Sequence, residues 1–83
     1  MKAVYFASVR ERIGLTEEEI FPPAGVATVA ELIGWLSARG EGYAAAFANA
    51  ATIRAAIDRT HARPDSPIRA AREIAFFPPM TGG

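Results

Sequence analysis

Few residues of this 83-residue chain could do chemistry, and most of those lack the neighbours they would need. There is no cysteine, which removes thiolate nucleophiles, disulfides and cysteine metal sites. His61 is the single histidine. With no second nitrogen or thiolate ligand beside it, it reads as a surface or interface residue, and no metal is expected on the chain. No Ser-His-Asp order, carboxylate pair or phosphate-cradling loop stands out, and Gly40-Glu41-Gly42 reads as a helix stop. What remains is the end of the sequence, Phe76-Phe77-Pro78-Pro79-Met80-Thr81-Gly82-Gly83. Two aromatics close a strand-like run. Two prolines then forbid further pairing, because neither has an N–H to give a ladder, and they stiffen the chain into an extended exit. Gly82-Gly83 has no Cβ and fits a channel too narrow for any side chain; what it would deliver is the Gly83 carboxylate. A frayed end with no role is the other reading of a diglycine. The aromatic and proline pairs argue for a tip on a stiff post, suited to reaching into another protein's active site.

Composition sets the bounds. A chain this short makes one domain, residues 1–83, with residues 78–83 as a flexible tail. Lys plus Arg and Asp plus Glu balance at nine each, so no basic excess argues for nucleic acid or an anionic membrane surface. No apolar run approaches the roughly 20 residues of a membrane span. The sequence enters a strand-like run at once, without a signal-peptide pattern, and the expected location is the cytosol.

The elements that must carry the tail can be read in order. Residues 2–7 form a strand whose run of Val4, Tyr5 and Phe6 suits a central, doubly covered position. Residues 8–14 read as a solvated connection turning at Gly14, and residues 16–21 as a second strand ended by Pro22-Pro23. Glu17, Glu18 and Glu19 are either an exposed edge guarded by charge or a patch for a basic partner. Thr28 and Glu31 form a capping box. Val29, Leu32, Ile33 and Leu36 follow at i, i+3, i+4 and i+7, one apolar stripe of an amphipathic helix. Arg39 suits its last turn, Gly40 or Gly42 its left-handed stop, and Trp35 the rim of the core rather than a binding site. Residues 43–51 are alanine-rich and fit a short helix or an ordered loop. Ile53, Ala55 and Ile57 share one face of a half-buried strand; Asp58-Arg59 turns the chain into a short strand at residues 60–62. Residues 64–67 are loop, Ile68 plugs the core, and residues 74–77 are the last strand. The result is an α+β roll, a mixed sheet of about four to five strands packed on one main helix.

The tail motif resembles the C-terminal signature of the small subunit of molybdopterin synthase, a family of ubiquitin-like sulfur carriers with the β-grasp fold. The element order agrees over essentially the whole chain. The resemblance implies that a partner enzyme, using ATP and magnesium, adenylates the Gly83 carboxylate. A sulfur donor then converts it to a thiocarboxylate, the only place for sulfur on a chain without a thiol. The tail next enters the large subunit, in a heterotetramer of two small and two large subunits. There the sulfur attacks cyclic pyranopterin monophosphate to build the dithiolene of molybdopterin. On this reading Gly83 bears the reactive group, Gly82 gives clearance, and Met80 and Thr81 line the channel entrance. The chain binds no cofactor and is not an enzyme by itself; catalytic side chains would lie on the large subunit. The resemblance also implies a hydrophobic docking patch beside the tail, with Phe6, His61, Phe77, Pro78 and Pro79 facing the partner. Alternation along a strand makes Phe76 and Phe77 mutually exclusive, and likewise Tyr5 and Phe6; the resemblance assigns Phe6 and Phe77 outward, Tyr5 and Phe76 inward.

Three features depart from the family. Ala70-Ala71-Arg72-Glu73 replaces a common Gly-Asp turn, Asp58 stands where asparagine is frequent, and the chain is neutral where relatives are often acidic, which weakens steering to a basic partner. Other readings are a carrier for another pathway such as thiazole synthesis, a ubiquitin-like modifier joined through Gly83 to lysine, and a plain interaction module with a passive tail.

Overall fold

The computed structural model describes residues 1–79. Five strands form one sheet in the order β2-β1-β5-β3-β4. They are β1 (Lys2–Tyr5), β2 (Glu17–Glu19), β3 (Arg54–Ile57), β4 (Thr60–Ala62) and β5 (Glu73–Phe77). β1 and β5 are parallel neighbours and the other pairs are antiparallel. Helices α1 (Ala7–Ile13), α2 (Val29–Ser37) and α3 (Glu41–Ala46) and a 3-10 turn at Ala50–Thr52 complete the order. The core holds Ala3, Tyr5, Leu32, Leu36, Ile74 and Phe76, each at most 1 % exposed. All strand residues in that set lie on one face, so the sheet is covered on one side only. β1 is therefore singly covered, against the expectation of a strand buried on both faces: its residues alternate between half-buried and buried.

The capping box and stripe of α2 form as the sequence predicts. Thr28 Oγ1 accepts from the Glu31 amide at 3.2 Å, and Glu31 Oε1 accepts from the Thr28 amide at 3.2 Å. The two amides before Glu31 are satisfied by a distant loop: Val29 donates to the Ser66 carbonyl at 3.1 Å and Ala30 to that of Pro64 at 2.9 Å. Each orphan donor of the first turn thus has a partner, and the 64–67 loop is tied to the helix start. Ile68 follows, buried as expected.

Three local expectations are corrected. Residues 7–13 are helical, rather than the end of the first strand at residue 7 and a solvated connection from residue 8. Val9 and Ile13 are the only large apolar residues in that stretch, too weak a stripe to read, and Val9 is fully buried in the core. Gly14 ends α1 in the left-handed region (φ 88°), its amide donating to the Arg10 carbonyl at 2.8 Å. Next, α2 stops without a left-handed glycine. Its cap, Ala38, is right-handed, and Gly40 is extended and begins α3. Arg39 lies beyond the last turn of α2, over the rings of Tyr43 (4.9 Å) and Trp35 (5.5 Å). Finally, Glu18 does not share the exposure of Glu17 and Glu19. Its Oε2 accepts from Tyr5 Oη at 2.7 Å and Tyr43 Oη at 2.6 Å and lies 3.3 Å from Arg39. Burial, then the Glu18 acceptor, pushes both phenols above their ordinary range, so they remain protonated donors. The ambiguous 43–51 stretch resolves into the end of α3 and the start of the 3-10 turn.

The departure at residues 70–73 carries no strain. The non-glycine residues with positive φ are Ala7 (51°), Asp58 (48°) and Arg59 (71°), so neither Ala70 nor Ala71 sits there. Asp58 and Arg59 make the two-residue hairpin turn in the mirror-image geometry such turns need. Asp58 Oδ1 also accepts from the amides of Arg72 and Glu73, both at 3.0 Å, and so stitches the hairpin to the start of β5.

Gly42 is required by close approach. A Cβ there would lie 2.6 Å from the Arg12 carbonyl oxygen, where α3 crosses the end of α1. Gly34, on the exposed side of α2, has nothing within 4 Å. G34A should raise the melting temperature, since alanine in a helix interior is favoured by about 1 kcal/mol. G42A should lower it, because overpacking against backbone costs about 1–3 kcal/mol and exceeds that gain. Thermal denaturation of the pair, followed by circular dichroism, checks the contact.

Candidate functional site

The uncovered sheet face is the surface beside the tail, and the registers show what stands on it. Glu17 pairs with Val4, Val4 with Ala75, Ala75 with Ala56, and Ala56 with His61. That row crosses all five strands, and its middle is apolar. One row nearer the tail, Phe77 pairs with Arg54, and Phe6 flanks β5, its amide N–H donating to the Phe76 carbonyl at 3.1 Å. One row further away, Glu19, Lys2 and Glu73 are aligned, with Lys2 Nζ 3.6 Å from both Glu17 and Glu73.

The inward and outward assignments of the aromatics hold in the geometry. Tyr5 and Phe76 are buried, with ring centroids 6.3 Å apart, and Phe47 meets Phe76 edge-on at 5.2 Å. Phe6 is 48 % exposed and Phe77 half-buried on the open face. His61 sits against Phe77, with ring centroids 6.5 Å apart and planes at 63°. Ala7 explains how Phe6 comes to stand there. Its left-handed backbone (φ 51°) turns the chain from the end of β1 into α1, so Phe6 keeps its strand orientation at the sheet corner. A left-handed alanine costs roughly 1–2 kcal/mol, offset here by the burial of Val9.

Phe6, His61 and Phe77 are thus brought to one face, and Pro78 and Pro79 follow at its rim, half-buried and exposed. Met80, Thr81, Gly82 and Gly83 lie outside the described residues. Among the described residues, no group of three His, Asp or Glu side chains is placed to hold a metal ion, and no helix is long and apolar enough to cross a membrane. Sequence reasoning missed Val4, Ala75, Ala56 and Arg54 as parts of this face. Alternation within β3 does put Arg54 and Ala56 together, but their alignment with Phe77 and Ala75 depends on strand register.

A mixed sheet in this order, holding its main helix on one face, is the ubiquitin-like β-grasp fold. SAMP1 from Haloferax volcanii has the same fold: the two superpose with a TM-score of 0.71 at 24% identity, over 100% of this chain and 98% of that one. The putative molybdopterin converting factor, subunit 1, from Pyrococcus furiosus superposes with a TM-score of 0.73 at 28% identity, over 94% of each chain. In sequence, the molybdopterin synthase sulfur carrier subunit of Escherichia coli (strain K12) is 35% identical over 83 residues, covering 100% of this chain and 99% of that protein. The ThiS family pattern matches residues 3–83, and the chain belongs to the ThiS family.

Proposed function

We infer that this protein is the sulfur carrier subunit of molybdopterin synthase. The observation that carries this reading is the end-to-end match to a sulfur carrier subunit of that enzyme, with the family pattern running through Gly83. The same match favours molybdopterin as the acceptor over thiazole synthesis. The fold supports it: β5 leaves the sheet through Phe77, Pro78 and Pro79 at the rim of an open, partly apolar face.

In the proposed cycle the Gly83 carboxylate is the group that changes. A carboxylate is a poor electrophile, so a separate activating enzyme, with ATP and magnesium, joins it to AMP and releases pyrophosphate. A sulfur donor displaces AMP and leaves a thiocarboxylate. In the large subunit the sulfur is passed to cyclic pyranopterin monophosphate and the carboxylate is regenerated. Two loaded carriers are consumed per dithiolene. Gly82 gives backbone clearance, Met80 and Thr81 meet the channel entrance, and Phe6, His61, Phe77, Pro78 and Pro79 dock on the partners. The small subunit supplies the sulfur and the large subunit the catalytic side chains. The assembly is two small and two large subunits, in the cytosol, and residues 1–83 act as one domain with 78–83 as the working tail.

Intact mass spectrometry after incubation with the native activating enzyme, ATP, magnesium and a sulfur source tests this. The expected result is exchange of one oxygen for sulfur, mapped to the peptide ending in Gly83. An unchanged mass with a competent activating enzyme overturns the carrier reading in favour of an interaction module. A lysine-linked conjugate would identify a modifier.

A further inference from the structure

The open sheet face is charged unevenly, and the two sides differ in how far their charges are already paired. On the β2 side, three carboxylates share two cations: the N-terminal amine lies 2.7 Å from Glu19, and Lys2 lies 3.6 Å from both Glu17 and Glu73. On the β3–β4 side stand Arg54, His61 and Arg63. Among the described residues Arg54 makes no ion pair, and Arg63 makes only a loose contact, 3.6 Å from Asp65, with both side chains about four-fifths exposed (83% and 79%). Arg54 is the cross-strand neighbour of Phe77, and Arg63 follows Ala62, whose cross-strand partner Ala55 adjoins Arg54. On this face the cations without a close partner therefore stand at the root of the tail, and the apolar strip lies between them and the carboxylates around Lys2.

We propose that Arg54 and Arg63, flanking the His61–Phe77 pair, form a cationic collar that orients the large subunit on this face and selects one whose socket for Phe77 is rimmed by carboxylates. This rests on the reading of the open face as the docking surface and adds what that surface must meet. An apolar strip attracts without direction, yet a carrier must approach with its tail aimed at one channel. Charge on one side of the strip supplies that direction, because the reversed orientation sets the cations against apolar or basic surface. The chain's net charge is zero, so steering has to come from this local field rather than from the molecule as a whole. The partner's complementary surface is acidic.

The test is the association rate of the full chain with its native large subunit, measured by stopped flow at low salt and at roughly 0.5 M salt, where screening is nearly complete. R54Q/R63Q and R54E/R63E are compared with wild type and with F77A. Both arginines are exposed, and a circular-dichroism melt confirms that each variant folds. The expected result is association slowed about tenfold by the neutral pair and about 100-fold by the reversed pair at low salt, with little change in dissociation and a flattened salt dependence. Wild-type association rates for both charge variants, with F77A weakening binding, would overturn the collar and keep the docking face. Faster association of R54E/R63E would overturn it by revealing a basic partner. Wild-type binding by all three variants would remove the docking face itself, and the collar with it.

Discussion

F76A should cost the domain a large part of its stability. Phe76 is fully buried on β5, stacked on Tyr5 and met edge-on by Phe47, so truncation opens a void where three rings interlock. Burying a phenylalanine and then removing it costs about 3–5 kcal/mol. A chain of this length is stable by only about 4–12 kcal/mol, at roughly 0.05–0.15 kcal/mol per residue. The loss therefore takes a large part of the total. Urea titration at 25 °C, read by far-UV circular dichroism, should show a midpoint shifted far down, or no folded baseline. F21A is the control: Phe21 is 80% exposed at the far end of the sheet, and its truncation should stay within about 0.5 kcal/mol. A wild-type midpoint for F76A would mean that the three rings are not packed against one another.

Deleting Gly82 and Gly83 should have the opposite profile: no loss of fold and complete loss of sulfur loading. Among the described residues the last ladder pair involves Phe77 and the last core residue is Phe76. The melting temperature should stay within about 4 °C of wild type, the largest shift that a change of roughly 0.5 kcal/mol produces in a domain of this size. Binding to the large subunit through the open face should persist, while incubation with the activating enzyme should give no oxygen-for-sulfur exchange. Sulfur loading of the truncated chain would place the reactive group elsewhere and dismiss Gly83 from that role. Together the two variants separate the residues that make the fold from those that do the work.

The parts of the fold legible in the sequence are those whose signal is local. The capping box at Thr28 and the stripe from Val29 to Leu36 announce α2, because cap and spacing are set within about ten residues. Asp58-Arg59 reads as a turn for a similar reason, although the second duty of Asp58, holding the Arg72 and Glu73 amides, joins residues 14 and 15 positions apart. Helix α1 escaped notice because seven residues with two large apolar positions are too short to be helical alone; what stabilises it is burial of Val9 under the sheet and contact with α3 at Gly42. Glu18 looked like its neighbours in an acidic run. Only the pleat turns it inward, and only the folding of α3 brings Tyr43 to it.

The sequence by itself pointed to the Gly82-Gly83 tail as the candidate for any reactive group. A chain without cysteine and with one histidine has no side-chain constellation to offer, and a diglycine behind two prolines is a tip with clearance. It also determined, through strand alternation, that one of each aromatic pair must face out. The tertiary structure decided which side of the sheet stays open, and hence what surrounds the root of that tail. Side-chain direction along one strand follows from its own backbone, but the residues that meet across strands follow from register. Phe77 stands beside Arg54 and His61 because β3, β4 and β5 pair in one particular offset, a choice made by burying Ala55, Ile74 and Phe76 together on the other face.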